Sequence, residues 1–151
     1  MHELRHESRQ AAAVRAPTAV TVTRRVTFAA AHVLSRADWD PERNEEVFGQ
    51  CVREHGHNYV LEVGVRGTPD PETGMVINLK ELDRVAREAV VAEVDHRHLN
   101  RDVDFLSGLM PTAENLALAF WSRIEERLRG ATLERLRLVE SENNAVEVTR
   151  A

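Results

Sequence analysis

His55-Gly56-His57-Asn58-Tyr59-Val60-Leu61-Glu62-Val63-Gly64-Val65-Arg66-Gly67 alternates along its length. His55, His57, Tyr59, Leu61, Val63 and Val65 share one side, while Asn58, Glu62 and Arg66 share the other. A period of two is the mark of a strand with one face turned inward. Upstream, Val20, Val22, Val26, Phe28, Ala30 and His32 keep one parity from Val20 to His32, a second such strand. Between them, Val33 to Glu54 reads as a long loop, and loops of that length in a compact domain are usually functional.

Downstream the period changes. Thr68 to Gly74 is rich in Pro, Asp and Thr and reads as a turn, and Met75-Val76-Ile77 as a short extended piece. Asn78 is a cap, with Glu81 three residues on as a capping-box partner. Leu79, Leu82, Val85/Ala86, Ala89/Val90 and Val94 then recur at three and four, a helix ending near Asp95-His96. Asp83–Arg87 and Arg84–Glu88 are spaced as surface ion pairs. A second helix follows Pro111-Thr112 on the stripe Leu116, Phe120, Ile124 and Leu128, with Gly130 as its C′ stop. Leu133 to Glu140 and Ala145 to Thr149 read as two strands of a hairpin. The order strand, strand, helix, helix, strand, strand gives an α+β domain: a four-stranded antiparallel sheet with two helices on one face.

The chain has 151 residues, 42% hydrophobic and 30% charged, with a net charge of -5. That is one domain with a real core, neither disordered nor broadly basic. A nucleic-acid partner is not expected. No apolar run spans a membrane and no signal core opens the chain, so a cytoplasmic location is expected. Residues 1–18 read as a flexible N-terminal arm, and residues 19–151 as the single domain. Cys51 stands alone, which excludes an internal disulfide.

Function gathers at the histidines. His55 and His57 leave one face of a strand together. If the first two strands pair antiparallel, His32 at the exit of the first falls beside them on the same face. Three imidazoles with an open fourth position is the pattern of a catalytic zinc site, although imidazole suits other divalent metals and scattered histidines can be structural. Cys51 reads equally as a thiol activated near that cation or as a buried small hydrophobe. Asp95-His96 is either an oriented acid–base pair or a helix end with a favourable cation. Glu140 shares the parity of Leu136 and Leu138. Its carboxylate either points inward, able to accept two parallel N–H bonds from a guanidine-like edge, or sits exposed at an edge.

The stretches Phe28-Ala29-Ala30-Ala31-His32, Cys51-Val52-Arg53-Glu54-His55-Gly56-His57-Asn58-Tyr59, Gly74-Met75-Val76-Ile77-Asn78-Leu79, Val94-Asp95-His96-Arg97-His98-Leu99-Asn100, Pro111-Thr112-Ala113-Glu114-Asn115-Leu116 and Val139-Glu140-Ser141 resemble the 6-pyruvoyltetrahydropterin synthase family and its bacterial sister, 6-carboxytetrahydropterin synthase. The resemblance runs from about Val20 to Val148. It implies a tunnelling fold in which three subunits join their sheets into a barrel and two rings stack, a homohexamer built as a dimer of trimers with its site between subunits. It also implies zinc on His32, His55 and His57, Cys51 as catalytic thiol, and Asp95 and His96 as proton-transfer partners. Glu140 would hold the pterin, and Thr112 and Glu114 would line its pocket. The implied substrate is a small-molecule pterin triphosphate, 7,8-dihydroneopterin triphosphate, converted to a pyruvoyl or carboxy tetrahydropterin.

Three features divide the branches. Cys51 precedes His55 by four positions, as in the carboxy enzymes. The long loop before Cys51 and the Glu140 to Asn144 segment are more similar to the pyruvoyl enzymes. Glu54, directly before His55, stands near where a related branch uses a glutamate to cleave the side chain to 6-hydroxymethyl-7,8-dihydropterin. Glu54 is therefore a second catalytic candidate. That cleavage, or pterin and metal binding without turnover, is the alternative function. His98, where many relatives carry Asn, is expected to have little effect.

Overall fold

The computed structural model describes residues 19–151. The arm expected over 1–18 lies outside the described residues. Strand β1 (Val20–His32) pairs antiparallel with β2 (His55–Gly67) in one unbroken register, from Val20 opposite Gly67 to His32 opposite His55. Strand β3 (Arg97–His98) lies on the other side of β1, while β4 (Thr132–Ser141) flanks β2 and β5 (Asn144–Thr149) closes the row. The order is β3-β1-β2-β4-β5.

The sheet is therefore five-stranded and mixed, not four-stranded and antiparallel. The extra strand, β3, runs parallel to β1, with Ala30 opposite Arg97 and Ala31 opposite His98. Two residues carry no period, so a strand this short is set by where its neighbours dock it. Among the described residues the sheet is open: apart from the short β3 contact, the outer edge of β1 has no strand beside it, and β5 has a neighbour on one side only.

One face of the sheet is covered by helices. Helix α2 (Leu79–Ala86) passes through a wider π turn at Arg87–Val91 into a last turn, α3 (Ala92–Val94). The Asn78 side chain caps α2 by accepting from Lys80 N at 3.0 Å. Glu81 does not complete a capping box, because its carboxylate is taken by Arg84. Both expected surface pairs form, Arg87–Asp83 at 2.9 Å and Arg84–Glu88 at 2.6 Å. In the π turn Ala92 N–H reaches back to Arg87 O, and Arg123 Nε donates to Ala89 O at 2.6 Å. Such a bulge admits one residue more per turn, which keeps both Ala89 and Val90 buried ahead of Val94.

Helix α4 (Ala113–Arg127) lies alongside, capped by the Thr112 hydroxyl. Its C-cap is Leu128, so Gly130, at φ +79°, turns the chain two residues beyond the cap, one later than a C′ stop. Leu116, Phe120 and Ile124 meet Phe28, Tyr59, Leu61 and Leu136 in one core. Each such buried side chain contributes about 1.5–3 kcal/mol. Arg24, on the inward parity of β1, is satisfied by Asp83 of α2 at 2.9 Å.

The long loop is not structureless. Residues 41–48 form α1 (Pro41–Phe48), followed by a 3-10 turn at Gly49–Val52 that carries Cys51. Asp40 caps α1 through Arg43 N at 2.8 Å, and Pro41 occupies the first turn, where its missing N–H costs nothing. Buried Asn44 ties α1 back to both backbone groups of Arg36.

Candidate metal centre and active site

The unbroken β1–β2 register puts the end of β1 against the start of β2. His32 and His55 are cross-strand partners, and His57 lies two residues farther on the same face. The rings are close: centroids are 4.5 Å apart for His32–His55, 5.1 Å for His32–His57 and 5.0 Å for His55–His57. One nitrogen from each falls within 4.8 Å of the others. Among the described residues no second group of three metal-ligating side chains converges in this way.

Two rings are held by backbone. His32 Nδ1 lies 2.8 Å from Pro111 O, and His55 Nδ1 lies 2.7 Å from Arg53 O. A carbonyl accepts only, so each Nδ1 carries the proton and each Nε2 keeps a free lone pair. This is the orientation by a second contact that metal-binding imidazoles use. The Nε2 atoms of His32 and His57 are buried with no hydrogen-bond partner among the described residues. A buried nitrogen without a partner costs free energy, and a metal ion removes that cost. Burial also holds His32 down to about pKa 4 and lowers His57. Both are therefore neutral near pH 7, the form that binds a metal. The residues fit a metal ion.

Glu140 points inward at the same end. Its carboxylate lies 3.9 Å from His57 Nε2, too far for a hydrogen bond, and its side chain is 19% exposed. The inward alternative for this residue is the one the fold adopts. Tyr59, stacked on Phe28 with its ring edge-on to His57, buries a hydroxyl with no partner among the described residues.

Asp95 and His96 do face each other, although side chains of adjacent residues normally diverge. His96 has φ +60°, the one non-glycine among the described residues in the left-handed region. That turn brings its Nδ1 to 2.9 Å from Asp95 Oδ1. Asp95 is fixed from behind by Ala29 N at 3.0 Å, and this bond, reinforced by His96, lowers its pKa. The His96 ring is 82% exposed. His96 is thus an exposed imidazole oriented by its neighbour on an uncommon backbone conformation.

Cys51 is half-buried. Among the described residues no hydrogen bond or ion pair joins it to Asp95, His96 or the histidines, so one chain does not assemble all the candidates. The Glu54 carboxylate lies 3.0 Å from Arg101 Nη2 and 3.5 Å from His98 Nε2. Thr112 spends its hydroxyl on the α4 cap, and Glu114 is exposed in the first turn of that helix. One contact is invisible to sequence: the Pro111 carbonyl orients His32, and a backbone acceptor leaves no side-chain signal. His98 is buried, with Nε2 3.5 Å from Glu54.

Known proteins agree with this architecture. A family model described as 6-pyruvoyl tetrahydropterin synthase matches residues 21–151. The 6-pyruvoyl tetrahydrobiopterin synthase of Dictyostelium discoideum is 37% identical over 127 residues, covering 84% of this chain and 93% of that protein. A dihydroneopterin monophosphate aldolase of Pyrococcus furiosus is also 37% identical, over 125 residues, covering 82% and 92%. The structure of Caenorhabditis elegans 6-pyruvoyl tetrahydropterin synthase superposes with a TM-score of 0.82 at 32% identity, covering 89% of this chain and 97% of that one. On sequence and on fold alike, the chain belongs to the 6-pyruvoyl tetrahydropterin synthase family.

Proposed function

We propose that this chain is a zinc-dependent lyase acting on 7,8-dihydroneopterin triphosphate, with 6-pyruvoyltetrahydropterin or 6-carboxytetrahydropterin as product. The observation that carries the proposal is the convergence of His32, His55 and His57 beside the inward carboxylate of Glu140, with the Nε2 atoms of His32 and His57 buried and without a hydrogen-bond partner among the described residues. A zinc ion held there supplies Lewis acidity to the oxygens of the substrate side chain. Glu140 accepts the 2-amino and ring N–H groups of the pterin and so sets which end of the substrate faces the histidines. Thr112 follows directly on Pro111, which holds His32, and Glu114 comes two residues later, so both are assigned to the border of the same site.

Proton transfer falls to Cys51 and to His96 with Asp95. No hydrogen bond or ion pair joins Cys51 to Asp95 or His96 within the described residues, whose sheet has open edges. Edge pairing between copies removes those edges and brings His96 of one chain towards Cys51 of its neighbour. A barrel-forming trimer, doubled into a hexamer, is the assembly this reading requires. Among the described residues no helix is long and apolar enough to cross a membrane. A cytoplasmic enzyme with a small-molecule substrate is the reading consistent with that.

The second reading, side-chain cleavage to 6-hydroxymethyl-7,8-dihydropterin, draws on the aldolase relative and on Glu54. The ion pair of Glu54 with Arg101 favours Cys51 as the proton carrier. The test is product identification by mass spectrometry with zinc-loaded wild type, Cys51→Ala and Glu54→Ala. A pyruvoyl or carboxy product that disappears with Cys51 supports the proposal. A hydroxymethyl product that disappears with Glu54 replaces it with the second reading, and a zinc-filled hexamer without turnover makes the protein a binding module.

A further inference from the structure

Resting on that metal reading, we infer that the short turn after β3, residues 98–102, is a clasp that positions the metal-binding histidines. Asn100 and Arg101 are its positioning residues. The clasp grips the chain immediately after His32 and immediately before His55, and it contains none of the ligands.

The grip on β1 is direct. The Asn100 side chain accepts from Val33 N at 2.9 Å and donates to Val33 O at 3.0 Å. One amide thus takes both backbone groups of the residue after His32, as a neighbouring strand would. On the other side of His32, Leu99 N donates to Ala31 O at 2.8 Å. The backbone around His32 is held at both flanks while Pro111 holds its ring.

The grip on β2 uses charge. Glu54, the residue before His55, has its carboxylate 3.0 Å from Arg101 Nη2 and 3.5 Å from His98 Nε2. His98 Nδ1 accepts from Asn100 N at 3.3 Å, while its buried Nε2, 3.5 Å from Glu54, makes no hydrogen bond among the described residues, so the grip on Glu54 rests on Arg101. The turn is itself rigid: Asp102 N donates to His98 O at 2.9 Å and Asp102 Oδ2 accepts from His98 N at 3.1 Å. Because β3 is only two residues long, sheet pairing alone would hold these five residues weakly. The side-chain ties are what join the turn to both strand ends.

The consequence is functional. Ligand atoms set on two strand ends reach one metal ion only while those ends keep their spacing, and the clasp spans them. Removing partners one step outside a metal site typically costs 10–100-fold in affinity. The clasp also continues the segment that presents Asp95 and His96, which is pinned at Ala29 by His96 N and by Asp95.

The test is zinc affinity of the full chain, by competition with a chromophoric chelator, together with the visible spectrum of the Co2+-substituted protein. Asn100→Ala and Arg101→Met each should weaken zinc about tenfold and broaden the Co2+ bands. Asn100→Asp, which keeps the acceptor for Val33 N, should recover part of the loss. Asn78→Ala, which removes the distant α2 cap and lowers stability generally, should leave zinc affinity unchanged. Affinities within twofold of wild type for Asn100→Ala and Arg101→Met would overturn the clasp, as would an equal loss in Asn78→Ala. A wild-type protein that binds no metal would overturn the metal reading itself, and the clasp with it.

Discussion

Acidifying the metal-free protein should unfold it partly through one buried imidazole. His32 sits near pKa 4 in the fold because burial disfavours its charged form, against about 6.5 in the unfolded chain. The unfolded state therefore takes up a proton that the folded state resists. Its contribution to stability is complete above pH 6.5 and drains away as pH falls towards 4. Linkage puts the loss from this group at about 1.4 kcal/mol at pH 5.5 and about 2.6 kcal/mol at pH 4.5. His57, also lowered by burial, adds to it in the same direction. The assay is urea unfolding at fixed pH between 7.5 and 4.5, comparing wild type with His32→Asn after metal removal. The variant loses the Pro111 contact at every pH, so its absolute stability is not the readout. The difference in slope is: the variant should be flatter by about 2–3 kcal/mol over that range. Parallel curves would show that His32 titrates alike in both states, and the burial argument would fail.

Other outcomes follow from particular contacts. Glu140→Ala should raise KM for the pterin at least tenfold while changing kcat less, measured by steady-state kinetics; an unchanged KM would remove it from substrate binding. His96→Ala should lower kcat by roughly 100-fold or more with little change in melting temperature, since the ring is largely exposed. Leu61→Ala, at the fully buried centre of β2, should cost about 2–5 kcal/mol by chemical denaturation. Tyr59→Phe should leave the metal-free protein as stable or stabilise it by about 1 kcal/mol, because its hydroxyl has no partner among the described residues.

Parity made the three-histidine cluster legible. His32, His55 and His57 needed only two alternating segments and the assumption that they pair antiparallel, and the β1–β2 register places them as that assumption requires. For Glu140 the same rule offers an inward carboxylate beside an exposed-edge alternative, and the fold takes the inward one. Helix α1 lies inside the stretch whose sequence reads as loop, because after Asp40-Pro41 the charged residues carry no apolar stripe.

Other features left no local signal. The parallel pairing of Arg97–His98 depends on docking of the whole segment against β1. The left-handed backbone of His96 belongs to a residue type that normally avoids it, and the fold imposes it through His96 N on Ala29 O at 2.6 Å. The partners of Glu54 lie more than 40 residues away, so its ties could not be read from spacing.

Metal dependence of turnover tests the central claim most directly. The protein would be stripped with a chelator, assayed for triphosphate release from 7,8-dihydroneopterin triphosphate, reloaded with zinc, and assayed again alongside His57→Ala. The account predicts no release from the stripped enzyme, recovery at one zinc per chain, and no recovery in His57→Ala. Full turnover by the stripped wild type, or by His57→Ala, would contradict it.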